Sequence, residues 1–107
     1  MSVVYHEDVS HVKFLSPTVS LNLYRIIQEI VQNIIKHANA TQVIFKLSSM
    51  EKISIEISDN GVGFDYRSLQ RKSGLDNIEY RANEISYQIE IISEPRLGTI
   101  IKIQEKL

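Results

Sequence analysis

The sequence predicts an α+β fold: a two-layer sandwich with helices on one face of a mixed, mostly antiparallel sheet. Three observations predict it. Isoleucine recurs at every second position from Ile53 to Ile57, a long amphipathic run spans Leu23 to Ala38 at helical spacing, and a shorter one spans Leu75 to Ile85. The element order is β-α-β-β-loop-α-β-β, which segregates the helices onto one side of the strands.

Each element has its own signal. Val3 and Tyr5, followed by His6-Glu7-Asp8, mark a short first strand, and a loop then runs to Pro17. Ser20 is the expected N-cap of the first helix, whose pattern continues to about Ala38. At roughly 100° per residue, Leu23, Tyr24, Ile26, Ile27, Ile30, Val31, Ile34, Ile35 and Ala38 occupy half the wheel, the width of a helix lying flat on a sheet. Arg25, Gln28, Gln32 and Lys36 fill the wet side, and Asn39 is the expected C-cap. Gln42–Leu47 alternates, with Val43, Phe45 and Leu47 on one face, and Ser49–Lys52 makes a turn. Ile53, Ile55 and Ile57 alternate with Ser54, Glu56 and Ser58, the pattern of a half-buried strand. After a polar stretch, Tyr66–Ser73, the second helix is written by Leu75, Ile78, Ala82 and Ile85. Gln88–Ile92 and Thr99–Gln104 are two further strands, joined by the breaker-rich Glu94-Pro95-Arg96-Leu97-Gly98.

At 107 residues this is one domain. A net charge of -1 supplies no basic field for nucleic acid. The absence of cysteine excludes disulfides, thiol catalysis and cysteine metal sites, and suits a reducing compartment. No apolar run approaches the roughly 18 residues of a membrane span, so no direct membrane contact is expected. A cytoplasmic monomer is the expectation.

The stretch "SDNGVGFD", Ser58 to Asp65, ends the isoleucine strand. Taken alone, Asp-Asn-Gly reads as a hairpin turn. Yet Val62-Gly63-Phe64-Asp65-Tyr66-Arg67-Ser68 resumes no alternation, and Asp59 shares the parity of Ile53, Ile55 and Ile57. A carboxylate aimed at the helix layer is costly unless a donor meets it there. On the first helix Glu29, Asn33 and His37 lie four apart, a stripe that drifts from the polar side into the apolar arc. His37 alone also reads as a core histidine with a hydrogen bond. Asn33, beside Glu29 and opposite an inward aspartate, reads as a ligand group. Gly74, just before the second helix, lets the backbone approach phosphate oxygens at a helix N-terminus.

The stretches "YRIIQEIVQNIIKHANA", "DNGVGFD", "SGLDNIEYRA" and "LGTIIKI" resemble the N box and successive glycine boxes of the GHKL (Bergerat-fold) ATPases. The likeness runs from about Leu21 to Ile103 and is strongest to the catalytic ATP-binding domain of two-component sensor histidine kinases. Within these it resembles the branch that pairs with LuxR-type response regulators. The resemblance implies ATP and Mg²⁺ as cofactors and a role for each matching residue. Asp59 would accept the exocyclic amine of adenine, while Gly61 and Gly63, with Phe64 beside them, would let the chain turn beneath the purine. Asn33 would present its amide oxygen to the metal, and Glu29 would be the base or water-orienting group near the γ-phosphate. Lys36 and His37 would face the phosphates. Gly74, Leu75 and Asn77 would lie by the triphosphate under a lid, Tyr66–Ser73, and Thr99 would close the base pocket.

The lid box departs from the family's G-x-G-L pattern, reading Lys72-Ser73-Gly74-Leu75. A phosphoacceptor histidine on a helical hairpin is also expected elsewhere. His6-Glu7-Asp8 imitates an acceptor motif, but it lies in a strand-like stretch. The chain therefore reads as the ATP-binding part alone, a fragment or a stand-alone relative. Its expected partner is a separate phosphoacceptor domain of the parent kinase, and through it a response regulator. The competing readings are an anti-sigma-factor-like serine kinase of the same fold and a degenerate domain that binds partners without nucleotide.

Overall fold

The computed structural model describes residues 2–8, 15–49, 52–62, 75–94 and 98–106. In chain order these form β1 (Ser2–Asp8), α1 (Pro17–Asn33) with a continuing π-helical turn (Ile34–Ala38), β2 (Gln42–Ser48), β3 (Ser54–Asp59), α2 (Leu75–Glu84), β4 (Tyr87–Glu94) and β5 (Gly98–Glu105). The predicted element order and α+β class are both present. The expected turn at Ser49–Lys52 lies partly outside the described residues, and the lid stretch Tyr66–Ser73 wholly so.

The sheet order is β1-β2-β3-β5-β4. β1 and β2 are parallel, joined by a crossover that contains α1, and every other pair is antiparallel. The sheet is therefore mixed, with β3 at its centre. One face carries Lys46 opposite Glu56, Glu56 opposite Lys102, and Lys102 opposite Glu90. That row of alternating charge keeps this side of the sheet wet and sets opposite charges across each strand pair.

The other face meets the helices. Leu23, Ile26, Ile30 and Ile34 of the first helix pack with Val43, Ile53, Ile57, Ile78, Ala82, Tyr87, Ile101 and Ile103. Ile26, Ile30, Ile57, Ile78 and Ile103 are the largest fully buried side chains. Burying each contributes about 1.5–3 kcal/mol, so these five anchor the two layers.

Two details of α1 differ from expectation. Its N-cap is Ser16, not Ser20: the Ser16 hydroxyl accepts the Val19 N–H at 3.2 Å, and Pro17 opens the helix. A proline's fixed φ and missing N–H suit a first helical position, so Pro17 starts the helix where a loop was expected to end. The buried stripe is also narrower than half the wheel. Tyr24 is 61% exposed and Ile35 65%, because the fully buried line runs through Leu23, Ile26, Ile30, Asn33 and Ile34, with Val19 and Ile27 only partly covered beside it. Asn39 does end the helix, in the left-handed region at φ 51°.

Candidate functional site

The site begins with two buried polar side chains between the layers. Asn33 closes the regular part of α1 on its buried stripe and is 9% exposed. Among the described residues its Nδ2 is buried with no hydrogen-bond partner. Leaving a buried donor unpaired costs about 1–3 kcal/mol, which an ordinary core position avoids with an apolar residue. Directly after Asn33 the helix widens into the π turn, a feature that recurs at functional sites.

Asp59 is the last residue of β3 and is also 9% exposed. Its register partners are Val43 on β2 and Thr99 on β5, so it points to the helix layer as its parity predicts. Burial pushes its carboxyl pKa up, and the Gly61 backbone N–H partly opposes that shift. Oδ1 accepts this N–H at 2.8 Å. Among the described residues Oδ2 accepts no hydrogen bond, which leaves it open to a donor from outside the chain.

The surroundings hold Asp59 in place. Gly98 has φ +91°, and a Cβ there would collide with the Asp59 carbonyl oxygen, so no other residue fits without displacing the strand end. Thr99, 3% exposed, hydrogen-bonds Ser93 through their hydroxyls at 2.9 Å. Asn60 is a support that sequence reasoning missed. Its Oδ1 accepts the Thr41 and Gln42 N–H groups, each at 2.9 Å, and its Nδ2 donates to the Thr41 hydroxyl at 2.9 Å. The Asn of Asp-Asn-Gly thus ties the end of β3 to the start of β2. Its signal was a side-chain amide at a strand end, which reads equally well as turn chemistry.

A second feature is an open, polar cleft between α1 and α2, lined by Arg25, Gln28, Glu29, Asn77, Ile78 and Arg81. It brings together Glu29 and Asn77, two of the predicted residues. Arg25 and Arg81 were not predicted; Arg25 belonged to the wet face and Arg81 carried no signal of its own. Lys36 is exposed. Gly63, Phe64 and Gly74 lie outside the described residues, as do the side chains of His37 and Leu75.

Oxygen chemistry suits this set. Among the described residues no group of three His, Cys, Asp or Glu could hold a metal ion. A metal here would take most of its ligands from phosphates and water, as Mg²⁺ characteristically does. The unpaired Asn33 Nδ2 suits a phosphate oxygen beside such a metal, and Oδ1 is the atom of this amide that could meet the cation.

Known proteins share the sequence pattern and the fold. Residues 18–104 match the family described as histidine kinase-, DNA gyrase B-, and HSP90-like ATPase. Over 88 residues the chain is 36% identical to the sensor protein VraS of Staphylococcus haemolyticus, covering 80% of this chain and 25% of that protein. VraS of Staphylococcus epidermidis matches equally, at 36% over 88 residues with the same coverage, 80% and 25%. The chain thus spans about a quarter of the curated relatives it matches. Among solved structures, the Acinetobacter baumannii histidine kinase AdeS superposes with TM-score 0.75 at 14% identity, over 97% of this chain and 54% of that one. The histidine kinase domain of the Erythrobacter litoralis EL346 blue-light activated kinase gives TM-score 0.72 at 14% identity, over 96% of this chain and 51% of that one. These likenesses show a shared fold. The chain belongs to the histidine kinase-, DNA gyrase B- and HSP90-like ATPase family, as an ATP-binding catalytic domain of the sensor-histidine-kinase kind.

Proposed function

We propose that this single ATP-binding domain holds Mg·ATP between its layers and donates the γ-phosphoryl group to a histidine on a separate phosphoacceptor domain. The reading rests on one observation above all: a half-satisfied carboxylate, Asp59, buried at the end of the central strand. Adenine supplies a donor for its Oδ2 through the exocyclic amine. Asn33 would hold the metal, which would neutralise phosphate charge, and Glu29 and Asn77 line the way out between the helices.

In the transfer the acceptor imidazole's lone pair forms a P–N bond while the bond from the γ-phosphorus to its bridging oxygen breaks. ADP departs with that oxygen, and the surplus ring proton passes to the Glu29 carboxylate. Positioning and charge neutralisation carry most of such a reaction. The acceptor domain belongs to the parent kinase, which passes the phosphoryl group on to a response regulator of the LuxR type. The domain works as a monomer in the cytoplasm; no described helix is long and apolar enough to cross a membrane.

The test is incubation with γ-labelled ATP. The chain alone remains unlabelled, since His6 lies in β1 rather than on a docking helix. Label appears on an added helical-hairpin acceptor domain, and Glu29→Gln slows its appearance far more than it weakens ATP binding. Acid-labile label on this chain alone, lost in His6→Ala, would overturn the reading.

A further inference from the structure

Two guanidinium groups face the inter-helix cleft, which holds a single carboxylate, Glu29. Arg25 lies one turn before Glu29 on α1, and Arg81 one turn after Asn77 on α2, so each helix presents an i, i+4 pair to the same opening. Among the described residues neither arginine makes an ion pair or hydrogen bond. Arg81 is half-buried. Its place in the last turn of α2 favours the helix dipole, but that explains neither its direction nor its pairing with Arg25. Two cations around one carboxylate leave the cleft with a net positive charge suited to an anion.

We propose that Arg25 and Arg81 form a clamp for the terminal phosphoryl group of the bound nucleotide, a role that rests on the nucleotide reading above. The company the arginines keep selects the terminal group: Glu29, read above as the group near the γ-phosphate, lines the same cleft with Asn77. Arg25 stands eight residues from Asn33 on α1, roughly 12 Å of helix. Arg81 stands six residues beyond the start of α2, roughly 9 Å. Glu29 therefore stands between Arg25 and Asn33 on α1, and Asn77 between Arg81 and the start of α2, so both arginines border the group that Glu29 and Asn77 would face. Guanidinium forks bind phosphate oxygens bidentately. In a loose phosphoryl transfer the charge to be neutralised sits on the equatorial oxygens, which such forks reach from two sides.

Calorimetry with Mg·ATP and Mg·ADP on Arg25→Gln, Arg81→Gln and the corresponding lysine variants tests this. Each glutamine change should weaken Mg·ATP about tenfold, the lower range for a charge-assisted contact, and leave Mg·ADP within about twofold. The lysine variants should recover part of the loss, because the charge remains and the fork does not. Unfolding midpoints within a degree or two of the parent confirm that the helices still pack. Equal losses for both nucleotides, or unchanged ATP affinity, would overturn the clamp while leaving the nucleotide site standing. Absence of binding to the unmodified chain would overturn the nucleotide site itself, and the clamp with it.

Discussion

Gly98 on β5 lies so close to the Asp59 carbonyl of β3 that a single added carbon would occupy the oxygen's place. Asp59 pairs in register with Thr99, the residue after Gly98, so the backbone that aims the buried carboxylate is locked by a glycine on the neighbouring strand. Gly98→Ala combines a left-handed φ with that collision. It should destabilise the domain by about 2–3 kcal/mol and weaken nucleotide binding in whatever fraction stays folded. Urea unfolding checks the first effect; a loss under about 0.5 kcal/mol, within the range of an unconstrained surface site, would show that the strand end moves freely.

Among the described residues the buried Nδ2 of Asn33 finds no partner, a cost to the fold that a bound ligand would relieve. Asn33→Ala removes a buried donor that has no partner, so the melting temperature should hold or rise. Affinity for Mg·ATP should fall about tenfold or more, with much less change for metal-free ADP. Equal losses for both ligands would make Asn33 a structural residue and leave the metal without its protein contact.

Asp59 predicts opposite pH trends for stability and binding. Its folded pKa is raised above the ordinary 3.8 by burial, so the folded state binds the proton more tightly than the unfolded one. Stability from this group therefore increases as pH falls through the raised value toward 3.8. Asp59→Asn, which cannot ionise, should be the more stable protein at neutral pH and lose that advantage as the pH drops. Nucleotide affinity should run the other way, falling on acidification, because the amine contact needs the carboxylate. Thermal melts and titrations across that window check both signs.

Much of this was legible in the residues. The parity of Ile53, Ile55 and Ile57 carried Asp59 to the helix side, and the structure buries it there. Helical periodicity placed the Ile26–Ile30 stripe, but the wheel ran wide, since Tyr24 and Ile35 face solvent. Periodicity reports which side of a helix is apolar, and packing decides how much of that side the sheet covers. Gly98 and Asn60 were illegible for another reason. Their roles depend on a neighbouring strand's carbonyl and on two amides 18 and 19 residues away, contacts that no local pattern encodes. The Arg25–Arg81 cleft likewise exists only once α1 and α2 lie side by side.

The most direct test of the account is a calorimetric titration of this chain and of its Asp59→Ala variant with Mg·ATP. The unmodified chain should bind. The variant should keep its unfolding midpoint and lose affinity by about 10- to 150-fold, the equivalent of one charge-assisted hydrogen bond of about 1.5–3 kcal/mol. A folded Asp59→Ala protein that binds Mg·ATP as tightly as its parent would contradict the assignment of the buried carboxylate to the nucleotide.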